Sequence, residues 1–295
     1  MMFWVPAPAG TSGHMIMTTT SETIRLDDIG ILALIGAGKM GSAMLEGWLA
    51  LGLDPRNVVV IDPQPSPDIV AMAQKGIALN PPPGAVSNIA TIVLAVKPQV
   101  ASEVMPSIAA LVEPRTLVLS IMAGKTLGFL QTAMPNAAIV RAMPNTPAAI
   151  GRGITVAVPN DAVTAEQRQR AHDLLAASGA VEWIFDEGLM DAVTAVSGSG
   201  PAYVFFLAEA LARAGVAAGL PDDLAATLAR ETVAGAGELL HRSSLDAATL
   251  RKNVTSPAGT TAAALDILMK DDGGLDPLMR DAVAAATKRS RELAG

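Results

Sequence analysis

The sequence predicts an α/β fold, in which a doubly wound, mostly parallel sheet is followed by an all-α helical domain. Two observations predict it. Residues 30–185 alternate short apolar runs with amphipathic helical runs, which is typical of a parallel sheet covered by helices on both faces. From Asp191 onward no strand pattern recurs, and the chain consists of long runs rich in alanine and leucine with helical periodicity.

The predicted strands are residues 30–35, 58–61, 76–80, 91–96, 117–121, 138–142, 154–158 and 180–185. The predicted helices among them are 40–51, 68–75, 99–112, 127–134 and 165–177. We expect the third helix to be interrupted at Pro106, because proline removes one helical hydrogen bond. The later helices are 201–218, 222–241, 246–252, 260–270 and 275–293.

These elements divide the chain into a flexible N-terminal tail (1–29), a sheet domain (30–185) and a helical domain (186–295). The tail lacks the basic start and long apolar core of a secretory signal. Several later helices, such as 224–240, are apolar on more than one face and must be buried on several sides. A bundle this small offers too little interior for that burial. We therefore predict a homo-oligomer, at least a dimer, that forms through the helical domain.

Composition restricts the partners. The formal net charge is -7, and the only basic cluster is the run 288–291, which argues against nucleic acid and against anionic membranes. No run of about 18 uncharged apolar residues predicts a membrane span. The chain has no cysteine and three scattered histidines, so we expect no metal site and a reducing, cytoplasmic location. The expected partner is a small molecule.

The strongest motif joins the first predicted strand to the first helix, and it consists of Gly36, Ala37, Gly38, Lys39, Met40 and Gly41. Glycine allows a sharp turn at the first position, close approach of a pyrophosphate at the second, and tight packing of helix on strand at the third. The next predicted strand ends in Asp62, the acidic position expected to bind a ribose. The motif therefore predicts a dinucleotide-binding, Rossmann-type sheet that binds NAD or NADP.

Ligands of open α/β sheets bind beyond the carboxyl ends of the strands. Besides the glycine turn and Asp62, this rule selects Asn80, Lys97-Pro98, Met122-Ala123-Gly124 and Met143-Pro144-Asn145. Strand termination also explains the two prolines, and a solvated loop explains Lys97 nearly as well. Both interpretations stay open at this stage.

A polar loop, residues 253–261, precedes the predicted helix 260–270. Its simplest interpretation is a helix cap in which Ser256 or Thr260 satisfies free amides. Exposed amides at a helix start would also hold a carboxylate, so a binding role is compatible. The simplest interpretation of segment 197–201 is likewise a tight helix start. The simplest interpretation of Glu187 is an acidic side chain exposed to solvent.

In this order the segments resemble pyrroline-5-carboxylate reductases. The resemblance runs from Gly30 to the C-terminus and rests on 36–41, 95–98, 141–147, 197–203 and 254–261. It implies hydride transfer from NAD(P)H to C5 of L-1-pyrroline-5-carboxylate, which gives L-proline in the last step of proline synthesis. It also implies a dimer through the helical domain.

The resemblance assigns the cofactor to residues in both halves of the chain. It places the pyrophosphate on 36–41 and the adenosine half near Asn80. The other expected cofactor contacts, mostly near the nicotinamide half, are Ala95, Val96, Lys97, Pro98, Ala123 and Asn253.

The resemblance assigns the substrate to the polar loop. It places the carboxylate on Ser256 and on the amides of Gly259, Thr260 and Thr261, and it makes Thr261 the catalytic residue, with its hydroxyl at the ring nitrogen. Glu187 matches a position close to the bound ring. Two departures stand out. Ala258 replaces a usual glycine and is expected to stiffen the loop, and Met122 replaces a smaller residue and is expected to crowd the nicotinamide edge.

Cofactor choice and two rival functions stay open. Asp62 should repel a 2′-phosphate and favour NADH, whereas the resemblance implies frequent use of NADPH, so our hypothesis is that both work. A β-hydroxyacid dehydrogenase-like enzyme would need a catalytic lysine in the helical domain, where the lysines lie in no convincing site motif. A non-catalytic NAD(P)H-sensing module is disfavoured by the carboxylate-binding character of residues 256–261.

Overall fold

The computed structural model describes residue 26 and residues 29–294. The flexible tail predicted for residues 1–29 therefore lies mostly outside the described residues. Leu26 and Ile29 are described, and both are buried in the core beside β1 (Ile31–Ile35). The packed part of the chain thus begins before the predicted boundary at residue 30, because these two apolar side chains add to the core.

Within the described residues, eight strands form one sheet. The strands after β1 are β2 (Val58–Ile61), β3 (Ala78–Leu79), β4 (Ile89–Leu94), β5 (Leu117–Ser120), β6 (Ala138–Met143), β7 (Gly153–Pro159) and β8 (Gly179–Trp183). Their order is β3-β2-β1-β4-β5-β6-β7-β8, and neighbouring strands are parallel except β6 and β7. The predicted doubly wound, mostly parallel sheet is confirmed.

Helices cover both faces of this sheet. They are α1 (Lys39–Ala50), α2 (Pro67–Ala73), α3 (Ala101–Ala109), α4 (Leu127–Ala133) and α5 (Ala165–Ala176). Residues of α1, α2 and α5 contribute to one core cluster, and residues of α3 and α4 contribute to the other. Alternate residues of β1 divide between the two clusters, with Leu32 and Leu34 in the first and Ala33 and Ile35 in the second. A strand buried on both sides explains why its sequence is continuously apolar.

The predicted interruption at Pro106 is wrong, because α3 continues through that residue. Proline crowds the carbonyl four residues earlier, which here belongs to Ser102 in the first turn of the helix. Both residues are exposed, so the carbonyl that loses its partner can be solvated by water.

Only helices and turns follow β8 in the described chain. They are α6 (Met190–Val193), α7 (Gly200–Ala217), α8 (Asp222–Arg242), α9 (Ala247–Asn253), α10 (Thr260–Leu268) and α11 (Leu275–Ala294). A 3-10 turn, Glu187–Leu189, precedes α6, and a π-helical turn, Thr194–Gly198, joins α6 to α7. Segment 197–201 therefore contains the start of α7, as the sequence suggested, but α7 follows the π-helical turn directly within one helical run, Glu187–Ala217. The exact domain boundaries stay a prediction.

The helices after β8 leave large apolar side chains exposed. Phe205 is 64% exposed, Phe206 61% and Leu239 54%, so one chain does not bury these faces. By length and composition alone, the described run Glu187–Ala217 could also cross a membrane. That run carries the ion pair between Arg213 and Glu209, which a lipid environment would disfavour.

Trp48 offers a test of the packing between α1 and α5. Its side chain is fully buried, and its indole N–H donates to the carbonyl of Leu174 at 2.7 Å. Trp48→Phe leaves that carbonyl without a partner and opens space, so we expect the free energy of unfolding to fall by about 2–3 kcal/mol. Urea unfolding followed by circular dichroism at one fixed protein concentration measures it.

The matched control is Trp183→Phe. Trp183 is only half-buried, and its N–H donates to Nδ1 of the partly buried His172 at 3.3 Å. We expect a loss below about 1 kcal/mol. Equal losses in the two variants would contradict the role assigned to Trp48.

Candidate active site

The turn between β1 and α1 requires glycine at its first and last positions. Gly36 has φ +89°, and a Cβ there would lie 2.9 Å from the carbonyl oxygen of Ala95. A Cβ on Gly41 would lie 2.4 Å from the carbonyl oxygen of Gly36. These contacts are shorter than real side chains make. The two glycines therefore let the helix, the turn and the end of β4 approach one another closely.

Gly38, the middle glycine, has a different environment. It is exposed, and a Cβ there would meet no atom within 4 Å. Gly38 is also the N-cap of α1, and no side chain caps the free amides of the first turn. Lys39, at the first helical position, is exposed beside this open space. Uncapped amides, a helix N-terminus and open space fit the pyrophosphate of a dinucleotide.

Asp62 connects the turn to the neighbouring strand. One carboxylate oxygen accepts the Ala37 amide at 2.7 Å, and the other accepts the Gln64 amide at 2.8 Å. Asn80, whose φ is +47°, fixes the backbone of Asp62, because its side chain accepts from the amide at 2.9 Å and donates to the carbonyl at 2.8 Å. The structure thus brings together three predicted cofactor residues at the ends of β1, β2 and β3.

The end of β4 contributes the predicted residues 95–98. The Ala95 amide donates to the carbonyl of Ile35 at 2.8 Å, which places Ala95 beside the glycine turn. A Cβ on Gly36 would also lie 3.0 Å from the side chain of Val96. Lys97 is exposed, and Pro98 starts the 3-10 turn Pro98–Val100. β4 already ends at Leu94, so Pro98 does not itself end the strand.

The loop after β5 presents Ala123 but not Met122. Ala123 is exposed at the carboxyl edge of the sheet, whereas Met122 is 2% exposed and belongs to the second core cluster. The expectation that Met122 crowds the nicotinamide edge is therefore wrong. Its larger side chain is accommodated in the core.

The polar loop 253–261 is not an ordinary cap, so that interpretation is wrong. The N-cap of α10 is Gly259, and no side chain caps the free amides. Ser256 instead uses its carbonyl to accept the Gly259 amide at 3.1 Å, and Thr260 already lies in the first helical turn. Ser256 and Thr260 are exposed, and Thr261 is partly buried. The start of α10 thus leaves its amides available to an anion.

Ala258 and Asn253 lie at two further places in this loop. Ala258 has φ +56°, in the left-handed region that favours glycine, at a cost of about 1–2 kcal/mol. This strain explains why glycine is the more favourable residue there. Asn253 is exposed at the end of α9.

Glu187 is not a solvated acid, contrary to the simplest interpretation. One oxygen of its carboxylate accepts Nη1 of Arg141 at 2.6 Å and the backbone amide of Leu127 at 2.8 Å. The Arg141 side chain is only 6% exposed. From sequence, Arg141 belongs to segment 141–147 and has no role of its own. The one feature of the sequence that could have indicated this ion pair is a single arginine within the otherwise apolar run 138–143.

Asn145 was selected by the strand-end rule, but its partners could not be inferred from sequence. Its side-chain oxygen accepts the Ile154 amide at 2.9 Å, and its NH₂ donates to the carbonyl of Ser197 at 3.1 Å. The lack of a side chain at Gly198 lets the π-helical turn approach the end of β6 closely. A Cβ there would lie 2.7 Å from the terminal methyl of Met143. The end of β6 therefore holds the π-helical turn.

The predicted residues thus form two groups in one chain. The first surrounds the glycine turn and includes Asp62, Asn80, Ala95 and Val96. Among the described residues, no hydrogen bond or ion pair joins this group to loop 253–261. The described chain also contains no cluster of three or more His, Cys, Asp or Glu residues that could hold a metal ion.

Two family models match the chain. The model described as pyrroline-5-carboxylate reductase dimerisation matches residues 187–293. The model described as NADP oxidoreductase, coenzyme F420-dependent, matches residues 31–124, which contain the glycine turn and the ends of β2 and β4. The two matches correspond to the two groups of residues above.

Individual relatives cover nearly the whole chain. The pyrroline-5-carboxylate reductase of Synechocystis is 40% identical over 89% of this chain and 97% of its own. The solved structure of the enzyme from Coxiella burnetii has a TM-score of 0.84 and 31% identity, over 91% of this chain and 100% of its own. The NADP-bound enzyme of Plasmodium falciparum has a TM-score of 0.73 and 30% identity, over 90% and 98%. This chain therefore belongs to the pyrroline-5-carboxylate reductase family.

Proposed function

We propose that this chain reduces L-1-pyrroline-5-carboxylate to L-proline with NADH or NADPH. One observation carries the proposal beyond family membership. Among the described helices, α1 and α10 both start at a glycine N-cap, Gly38 and Gly259, with no side-chain cap, and one lies in each family match. The first suits a pyrophosphate and the second suits the carboxylate of the substrate.

The residues around the glycine turn would hold the cofactor, which supplies hydride to C5 of the substrate ring when bound. The amides that follow Gly38 bind the pyrophosphate, and Asp62 faces the adenosine ribose beside Asn80. Ala95, Val96, Lys97, Pro98 and Ala123 line the nicotinamide half, and Asn253 completes the cofactor contacts. The fixed position of this edge orients the reacting atoms, which is the main contribution of the protein to hydride transfer.

The start of α10 would hold the substrate. Ser256 and the amides of Gly259, Thr260 and Thr261 bind the carboxylate. The Thr261 hydroxyl lies at the ring nitrogen, which must be protonated for hydride to add at C5. A threonine hydroxyl is too weak an acid to supply that proton alone. We therefore assign Thr261 the roles of orienting the nitrogen and relaying a proton.

We infer that two copies associate through the helices that follow β8. Their apolar faces remain exposed in one chain, and the dimerisation model covers them. The same association accounts for the apolar surface of the run Glu187–Ala217 without a membrane. A chain free of cysteine also suits the reducing cytoplasm, where we place this soluble enzyme.

The first test is turnover. Purified protein should oxidise both NADH and NADPH when pyrroline-5-carboxylate is added, measured by loss of absorbance. Thr261→Ala should lower kcat at least about tenfold, with the Kd for NADH unchanged, because only the ring nitrogen loses its partner. Thr227→Ala is the control, since Thr227 is exposed on α8 and donates only to Asp223 of its own helix.

No turnover with either cofactor, in folded protein that binds NADH, would contradict the reductase function. It would favour the sensing module instead. Full turnover by Thr261→Ala would remove the role assigned to its hydroxyl.

A methyl group added at Gly38 and one added at Gly41 should affect different properties, NADH binding in the first case and stability in the second. Gly38→Ala points its Cβ into open space, so stability should change by less than about 0.5 kcal/mol. The Kd for NADH should rise at least about tenfold, because the methyl group occupies the place of the pyrophosphate. Fluorescence titration with NADH and thermal unfolding measure these two quantities.

Gly41→Ala is the paired variant. Its Cβ meets the carbonyl of Gly36, so it should destabilise the protein by about 1–3 kcal/mol. Tight NADH binding by Gly38→Ala would contradict the proposed position of the pyrophosphate.

Asp62 predicts the cofactor preference. Asp62→Ser removes the charge but keeps one oxygen that can accept the Ala37 amide. The ratio of kcat/KM for NADPH to that for NADH should rise at least about tenfold, or ~1.4 kcal/mol, because a 2′-phosphate is no longer repelled. The wild-type preference should stay below about a hundredfold in either direction.

Asp161→Ser provides the control for this ratio. Asp161 follows β7, whose end pairs with the beginning of β6, so it lies at the opposite edge of the sheet. An unchanged ratio in Asp62→Ser would show that Asp62 does not face the ribose.

A further inference from the structure

We propose that Glu187 is a positioning residue that sets the loop 122–126 against the helical run beginning at Glu187. The proposal rests on the function proposed above and assigns a role to the Arg141–Glu187 pair in that reaction. The carboxylate would act through the backbone it holds and not through contact with the substrate.

Three elements meet at one carboxylate oxygen. Arg141 approaches it from β6, and Leu127 donates the first amide of α4. Glu187 itself opens the 3-10 turn that leads into α6 and α7. A carboxylate at the N-terminus of α4 also interacts favourably with the helix dipole.

The loop 122–126 leads directly into this contact. Thr126 is the N-cap of α4, and the Lys125 amide lies 3.4 Å from the Met122 carbonyl in the turn before it. Ala123, the proposed nicotinamide contact, lies in the same short turn. A shift of the first amide of α4 would therefore shift Ala123 as well.

A second contact isolates what Glu187 does. The helical run is also held at its π-helical turn, where Asn145 donates to the Ser197 carbonyl. Loss of the Glu187 carboxylate would leave that attachment in place. The same loss would break the contact between Glu187 and the Leu127 amide of α4, and in the described part of the chain Asn145 makes no hydrogen bond to α4 that could replace it. The expected consequence is a displaced loop on a folded protein.

The burial of the Arg141–Glu187 pair indicates that its role is to position the loop rather than to stabilise the fold. The Arg141 side chain is 6% exposed and that of Glu187 is 27% exposed, so both charges lose much of their hydration. Apolar replacement of both partners of such a pair is often neutral or stabilising. Stability therefore does not require the pair, whereas the link to the Leu127 amide depends on the Glu187 oxygen.

The experiment compares two variants with the wild-type enzyme. Glu187→Gln keeps an oxygen for the Leu127 amide, so its kcat should fall clearly less than that of the double variant described next. The double variant Arg141→Met with Glu187→Leu removes the oxygen and both charges. Its Tm should stay within about 4 °C of wild type, while kcat falls at least about tenfold. The Kd for NADH, set by the glycine turn, should change less than about threefold.

Asp191→Asn is the matched control. Asp191 lies on the same helical run, but its carboxylate contacts Ser290 and Arg291 on α11 and not the sheet. Its kcat should stay within about threefold of wild type even if Tm falls. A fall in kcat equal to that of the double variant would show that any loosening of the run slows the reaction, and would overturn the proposal.

Two further results would overturn it. A double variant with wild-type kcat would show that the pair is dispensable. A tenfold rise in KM of Glu187→Gln at unchanged kcat would make the carboxylate a direct substrate ligand, the position that the family resemblance implies. If the double variant does not fold, Glu187→Ala replaces it at a temperature where circular dichroism shows folded protein, with the same expected fall in kcat. An inactive wild-type enzyme would instead overturn the proposed function.

Discussion

The position of β1 between β2 and β4 is the constraint on which the rest of the structure depends. The chain builds the sheet outward through β2 and β3 and then crosses to the other side of β1 to continue with β4. The connections that follow the adjacent strands β1 and β4 run in opposite directions, to β2 and to β5, which opens a crevice at the carboxyl ends of β1 and β4. The glycine turn lies in that crevice. The lack of side chains at Gly36 and Gly41 allows the end of β4 and the start of α1 to close around it.

The same constraint explains why the cofactor residues were found from sequence. Strand ends and glycine spacing are local patterns, so the turn, Asp62 and Asn80 could each be placed before any contact was known. Their hydrogen bonds could not be placed in the same way. The two amides bound by Asp62 come from the glycine turn after β1 and from its own loop, and only the register of the folded sheet brings the Ala37 amide to it.

The eight strands of the described chain were predicted from their short apolar runs, and most helices from their helical periodicity. The π-helical turn was not predicted, because nothing in the local sequence requires it. It depends on Asn145, which contacts it from more than 50 residues earlier, and on the absence of a side chain at Gly198 against Met143. Pro106 and the uncapped start of α10 were misjudged for a related reason. Whether proline interrupts a helix, and whether a side chain caps one, depends on which backbone groups water can reach, and the local sequence does not contain that information.

The end of β6 shows how a few polar side chains organise an apolar structure. The sheet reverses direction between β6 and β7, and the Asn145 oxygen holds the amide of Ile154 near the start of β7. The NH₂ group of the same side chain holds the helical run that follows the sheet. Arg141, four residues earlier on β6, holds the beginning of that run through Glu187. A buried arginine lowers the stability of an apolar strand unless its charge is paired, so its presence is explained by what it joins. Sheet reversal and attachment of the helices thus depend on one short segment.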